Sequence, residues 1–169
     1  MKRTLCLIAG LLTLSLLPSS AADEKAYPAK NPVLTYEVPA KWVTEVDPSD
    51  DSVSITSDDD RISVNFAEVD VDASMEVFKE LVPEMVKELK DAKVVQPAKE
   101  QTVDGLTSYI SGYIGTTDGS EAMMIMILFK GGKERAILGN IVMMDPGTMP
   151  KEQAAKFDAL MNSLQGAAK

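Results

Sequence analysis

Carboxylates dominate the side chains that could do chemistry in this sequence. In 169 residues, 26 Asp and Glu stand against 17 Lys and Arg, and histidine is absent. Six aspartates, Asp47, Asp50, Asp51, Asp58, Asp59 and Asp60, surround an expected hairpin. A hard cation such as calcium needs several such oxygens converging on one point. Asp58, Asp59 and Asp60 are the metal candidates, but their order is not the D-x-D-x-D-G of a calcium loop. The plain alternative is a pair of charged, solvated turns.

A second acidic feature is the row Glu76, Glu80, Glu84 and Glu88, spaced by four on an expected helix. Like charges at that spacing repel by roughly 0.2–0.5 kcal/mol per pair. Lys79 and Lys87, each three residues after a glutamate, partly offset this. The row is the candidate docking face for a basic protein partner, with a solvated helix face as the alternative.

Other chemistries are excluded or weak. Without histidine there is no Ser-His-Asp triad and no histidine-ligated metal. The single cysteine, Cys6, lies in an apolar N-terminal run, so thiol catalysis is not expected of the remainder. No Walker loop or G-x-G-x-x-G occurs, and no cofactor is expected. A carboxylate-dependent hydrolase would need two acids facing each other in a deep pocket. Met123, Met124, Met126, Met143 and Met144 could suggest a Cu(I) site, yet they sit in apolar runs where core packing explains them better. Tyr109 and Tyr113, with Ser111 between them, share one strand face and could line a groove or pack across strands. Trp42 beside Pro39 reads as a hairpin anchor.

Residues 1–22 have the three parts of an export signal. Met1-Lys2-Arg3 is basic, Leu5–Leu17 is largely apolar, and Pro18-Ser19-Ser20-Ala21-Ala22 is breaker plus small residues. Cleavage is expected between Ala22 and Asp23. Thirteen apolar residues are too few to span a bilayer core of ~30 Å, and Cys6 is too early for a lipid anchor. A periplasmic or secreted protein without a stable membrane anchor is therefore expected. Without the two basic residues of that segment, 15 basic residues face 26 acidic ones, a formal charge of −11. Such a balance disfavours nucleic acid as a partner.

The elements that must position these residues follow from periodicity. Residues 23–32, with Pro28 and Pro32, read as a flexible leader, and a single domain is expected over 33–165 with a tail at 166–169. Leu34–Val38 and Trp42–Val46 read as a hairpin, followed by strands Ser52–Thr56 and Arg61–Val69. In the last of these Ile62, Val64 and Phe66 alternate with Ser63 and Asn65. Phe78, Leu81, Val82, Met85, Val86 and Leu89 make one helical stripe, capped by Asp70 or Asp72 and kinked or split at Pro83. Val94-Val95 begins a broken strand, and Leu106–Ile114, Ala122–Lys130 and Arg135–Met144 follow as long strands at hairpin spacing. Ala154, Phe157, Leu160, Met161 and Leu164 form a final helix after Pro150.

Residues 123–129 and 136–144 are apolar on both sides, so both faces of their sheet must be covered. With two amphipathic helices available, the expected fold class is α+β, a three-layer α/β/α sandwich with a mainly antiparallel sheet and one helix on each face. Val38-Pro39-Ala40-Lys41-Trp42, a hairpin, a long helix, Gly105, three long strands and a closing helix ending Asn162-Ser163-Leu164 resemble the PsbP-like fold. That fold is shared by a photosystem II extrinsic protein, a Ran-binding import factor and bacterial envelope proteins. The resemblance implies action by binding partners rather than a catalytic constellation. The functional expectation is an exported, non-enzymatic envelope protein acting through protein–protein contacts. A cation- or small-ligand-binding domain built on the hairpin aspartates is the alternative, and the hydrolase the remote one.

Overall fold

The computed structural model describes residues 23–167; the export segment expected at 1–22 lies outside the described residues. Ten strands and two α-helices follow the order β1 (Asp23–Tyr27), β2 (Leu34–Val38), β3 (Val43–Val46), β4 (Val53–Thr56), β5 (Ile62–Val69), α1 (Met75–Val86), β6 (Lys90–Val103), β7 (Leu106–Thr117), β8 (Ser120–Gly132), β9 (Arg135–Met144), α2 (Lys151–Ser163) and β10 (Gln165–Gly166), with a 3-10 turn at Pro146–Thr148 before α2.

Strands β3-β4-β5-β9-β8-β7-β6, in that order, form one antiparallel sheet, and β1-β2-β10 form a second. The large sheet is two hairpin meanders, β3–β5 and β6–β9, brought edge to edge where β5 pairs with β9. Hairpin connections of a few residues can only give antiparallel neighbours. Between the meanders the chain must cross from β5 to the far edge at β6, and α1 makes that crossing against β6, β7 and β8.

The expected sandwich with a helix on each face is not what forms. The described residues are mostly β, 53% strand and 19% helix. On one face of the large sheet, Met124, Met126 and Leu128 pack with Phe78 and Val82 of α1. On the other, Phe66, Ile127, Phe129, Ile137 and Ile141 meet Tyr27, Leu34, Tyr36 and Val38 of the small sheet, with Leu160 of α2 at its side. A continuous apolar run requires cover on both faces but does not say whether helix or sheet supplies it. Here the supposed leader supplies part of it. Asp23–Tyr27 pairs with β2, and Tyr27 is buried.

Three smaller expectations are corrected and a fourth is narrowed. Residues 34–38 and 43–46 do not form a hairpin: β2 stays in the small sheet, while β3 pairs with β4. Lys41, at φ 72°, lies inside a turn closed by Trp42 N–H donating to Pro39 O at 3.1 Å, and past it the chain changes sheets. Helix α1 is capped by Ser74, whose Oγ accepts from Val77 N–H at 3.2 Å, whereas Asp72 accepts from Glu134 N–H at 2.6 Å. Pro83 does not split α1, which runs on to Val86 with the proline ring exposed. The break expected around Pro97 is absorbed by register shifts in a continuous β6. At the start of that strand a Cβ on Gly115 of β7 would stand 2.7 Å from Lys90 O, so only glycine permits the approach.

Candidate functional site

Helix α1 covers the β6–β8 side of its face and leaves β3, β4, β5 and part of β9 open. Facing pairs across the strands put Glu45, Ser54, Asn65, Asn140, Met126 and Ser111 in one transverse row on this face. Residues directly opposite in a sheet share a side. The row is buried where α1 lies over it, at Met126 and Ser111, and polar and at least partly exposed where it does not.

Over the polar part lies a groove of about 460 Å³. Its floor is Ser54, Asn65, Leu138 and Asn140, and Met85 at the end of α1 is one wall. The opposite rim is the turn between β3 and β4. Asp47 N–H donates to Ser52 O at 2.9 Å and closes that turn. Asp47 Oδ1 accepts from the backbone N–H and the hydroxyl of Ser49, and Asp50 Oδ1 from Ser52 N–H. These bonds fix both carboxylates beside Glu45 at the mouth.

The electrostatics are one-sided. Asn140 Oδ1 is buried and accepts no hydrogen bond. Asn65 commits an amide N–H to Ser63 Oγ at 3.2 Å. Three carboxylates make the rim acidic, while the serine hydroxyls and asparagine amides of the lining can donate as well as accept. The hydroxyl and backbone bonds from Ser49 hold the Asp47 carboxyl below its usual range. A general acid requires the opposite shift.

The residues singled out from sequence are scattered. Asp58 turns toward α2, accepting from Gln153 Nε2 at 2.6 Å and from Lys156 Nζ at 3.2 Å. Gln153 in turn accepts from Trp42 Nε1 at 3.3 Å, so Trp42 anchors α2 to the neck of β3. Asp59 accepts from Ser57 Oγ at 2.7 Å, and Asp60 sits at φ 58° in the same turn. The three do not converge, and among the described residues no group of three or more His, Cys, Asp or Glu could hold a metal ion. Glu76, Glu80, Glu84 and Glu88 are exposed; the first three lie on α1 and Glu88 lies beyond its last turn. Glu84 pairs with Lys87 at 2.6 Å. The methionines split between the faces: Met123 and Met143 pack in one core cluster, Met124, Met126 and Met144 in the other. Tyr109 stacks near Phe78 with ring centres 6.4 Å apart, and Tyr113 packs in the same cluster, so these tyrosines are core. Ser111 is fully buried there, its hydroxyl without a partner.

Glu45, Asn65 and Asn140 were not apparent as site residues. The one available signal was Asn140 standing alone among the apolar residues of 136–144.

The Asp58 contacts carry a pH prediction. The Gln153 hydrogen bond, with Lys156 behind it, lowers the Asp58 pKa from 3.8. A depressed carboxylate pKa stabilises the fold above the unfolded value, and that stabilisation is lost as pH falls through the lower, folded value. In Asp58→Asn, the fall in urea midpoint on acidification below about pH 4 is expected to be shallower than in the parent. Identical slopes would remove Asp58 from the acid response.

No protein-family model matches the chain, and no curated protein matches it. Solved structures do. A protein from Bacteroides thetaiotaomicron superposes with a TM-score of 0.56 at 12% identity, over 88% of this chain and 49% of its own. The chain thus spans about half the length of that protein. LpqN of Mycobacterium tuberculosis, described as involved in cell envelope biogenesis, gives 0.52 at 12% identity, over 86% of this chain and 91% of its own. A variant of Mog1 gives 0.51 at 12%, over 85% and 96%. Among the described residues no helix is long and apolar enough to cross a membrane, which leaves β-barrels aside. At these identities what is shared is a fold, and the chain is similar in fold to LpqN, to Mog1 and to half of the Bacteroides protein.

Proposed function

We propose that this chain is an exported, non-enzymatic binding protein of the cell envelope, acting through protein–protein contacts made at the groove beside α1. The observation that carries it is the open groove of about 460 Å³ beside α1, lined by Ser54, Asn65, Leu138 and Asn140. The missing histidine supports a non-enzymatic role. The basic, apolar and small-residue order of residues 1–22 supports export. The envelope role described for LpqN, a structural neighbour, agrees with that location. A PsbP-like affiliation belongs to the same proposal and rests on the order of elements from Val38-Pro39 to Leu164.

The test uses cells expressing the full chain with a C-terminal tag. The protein is expected in the envelope-side fraction with Asp23 as its first residue. Leu138→Trp, which fills the groove, is expected to cut recovery of the crosslinked partner at least about tenfold, as for the loss of one interface hot spot. Reversing Glu80 and Glu84 to lysine on the exposed face of α1 should leave recovery unchanged. Cytoplasmic protein still beginning at Met1 would end the export reading. Full recovery by a folded Leu138→Trp protein would end the groove reading.

A further inference from the structure

We infer that the outer edge of β3 takes up an extended segment of the protein partner as an added antiparallel strand, an inference that rests on the protein-binding reading above. Among the described residues β3 ends the large sheet and pairs only with β4. Asp47 N–H bonds to Ser52 O at the mouth of that pair, and hydrogen-bonded pairs recur at every second position of an antiparallel ladder. Val43 and Glu45 therefore spend their backbone groups on Thr56 and Ser54. The N–H and C=O of Thr44 and of Val46 point away from the sheet. An extended strand meets such a row with its own alternating donors and acceptors, and its side chains then reach either face of the edge.

Two contrasts single out this edge. Among the described residues the exposed large hydrophobic side chains are Val43, Val46, Val94 and Val95, all on the two edge strands β3 and β6. Edge β6 is guarded: it carries Lys90, Lys93, Pro97 and Lys99, and register shifts interrupt it from Lys90 to Lys99. Between Val43 and Val46 there is no proline, no lysine and no register shift. A second copy of the chain is a poor occupant. The antiparallel register that engages all the outward groups sets Thr44 against Val46, and it places the two Glu45 carboxylates directly opposite each other. The occupant is therefore a strand of another protein. Val43 and Val46, three residues apart, stand on opposite faces of the edge. The segment that fits carries two apolar residues at that same spacing, one beside each valine, with no acidic residue facing Glu45.

The experiment follows hydrogen exchange of the backbone amides of the labelled, exported protein at physiological salt. The probe is the end-blocked peptide Lys-Val-Thr-Thr-Val-Lys, compared with the same peptide N-methylated at both threonines, which blocks pairing from either of its edges. Without peptide, the Thr44 and Val46 amides are expected to exchange freely. The unmodified peptide should slow both saturably, by at least about tenfold, and the N-methylated one should bind at least about tenfold more weakly, as for the loss of one or two hydrogen bonds. Thr44→Pro removes an outward N–H that β4 does not use, a substitution that edge strands tolerate, and should abolish the protection. Where that variant fails to fold, the N-methylated peptide decides on the unaltered protein.

Three results would overturn the inference: equal binding of the N-methylated peptide, protection at Val94 and Val95 of β6 in place of Thr44 and Val46, or Thr44 and Val46 already protected without peptide in a protein that sediments as a dimer. If Leu138→Trp blocks partner recovery while the peptide leaves Thr44 and Val46 unprotected, the groove remains the contact surface and strand addition is lost. If the peptide protects both amides while Leu138→Trp leaves recovery intact, the edge of β3 remains and the groove is lost.

Discussion

Phe66→Ala is expected to destabilise the protein by about 3–5 kcal/mol, the range for deleting a buried phenylalanine ring. Phe66 is 1% exposed on the inner face of β5. Its ring lies 5.3 Å from that of Tyr36 and 6.1 Å from that of Tyr27, both in the small sheet. Across the strand pair it faces Gly139, where a Cβ would come to 3.4 Å from the phenyl ring. One side chain thus joins β5, β9 and the small sheet, and its removal leaves a cavity that rigid sheets on both sides cannot close. For a domain of this length the melting temperature should fall by roughly 10 °C or more. Urea denaturation gives the direct measure. A loss below about 1 kcal/mol, far under the expected range, would mean that the two sheets are not held together through this residue.

Phe78→Ala should cost about as much, again about 3–5 kcal/mol, with a different local signature. Phe78 is fully buried, and with Val82 it makes up the buried residues of α1. Its ring sits 6.4 Å from that of Tyr109 on β7. Without it, α1 keeps its Ser74 cap but loses its principal hold on the sheet. Amides of 78–86 should then exchange by local opening well before those of β8 and β9. Loss of the Met85 wall would follow, so the buried Oδ1 of Asn140 should become accessible to water. Uniform exchange across α1 and the central strands would show instead that helix and sheet open as one unit.

Much of the chain was legible because its pattern is local. Strand β9 matches the expected Arg135–Met144 residue for residue, and β5 the alternation from Ile62 to Phe66. Helix α1 follows its three-and-four spacing as far as Val86, while Leu89 is buried beyond its end. The partners of these elements were less legible because pairing is not local. The turn at Pro39-Ala40-Lys41 reads as a hairpin, yet Trp42 is drawn under α2 by Gln153 and the strand after it joins the other sheet. Tyr27 looked like part of a linker because prolines follow it, although burial against Phe66 is what orders that stretch. The groove was hidden for a related reason. Asn65 carries the ordinary polar side of an alternating strand, and only the limited reach of α1 over the sheet turns that side into the floor of a groove. The acidic runs at 58–60 and 76–88 were conspicuous in composition, but composition does not bring side chains together.

The arrangement of the small sheet bears on how the molecule can be presented. Both β1, at the start of the described chain, and β10, at its end, flank β2. That sheet backs onto the side of the large sheet away from Asn140. A fusion partner or sensor chip linked through either end of the described chain would therefore hold the protein from behind, with the Asn140 side pointing into solution.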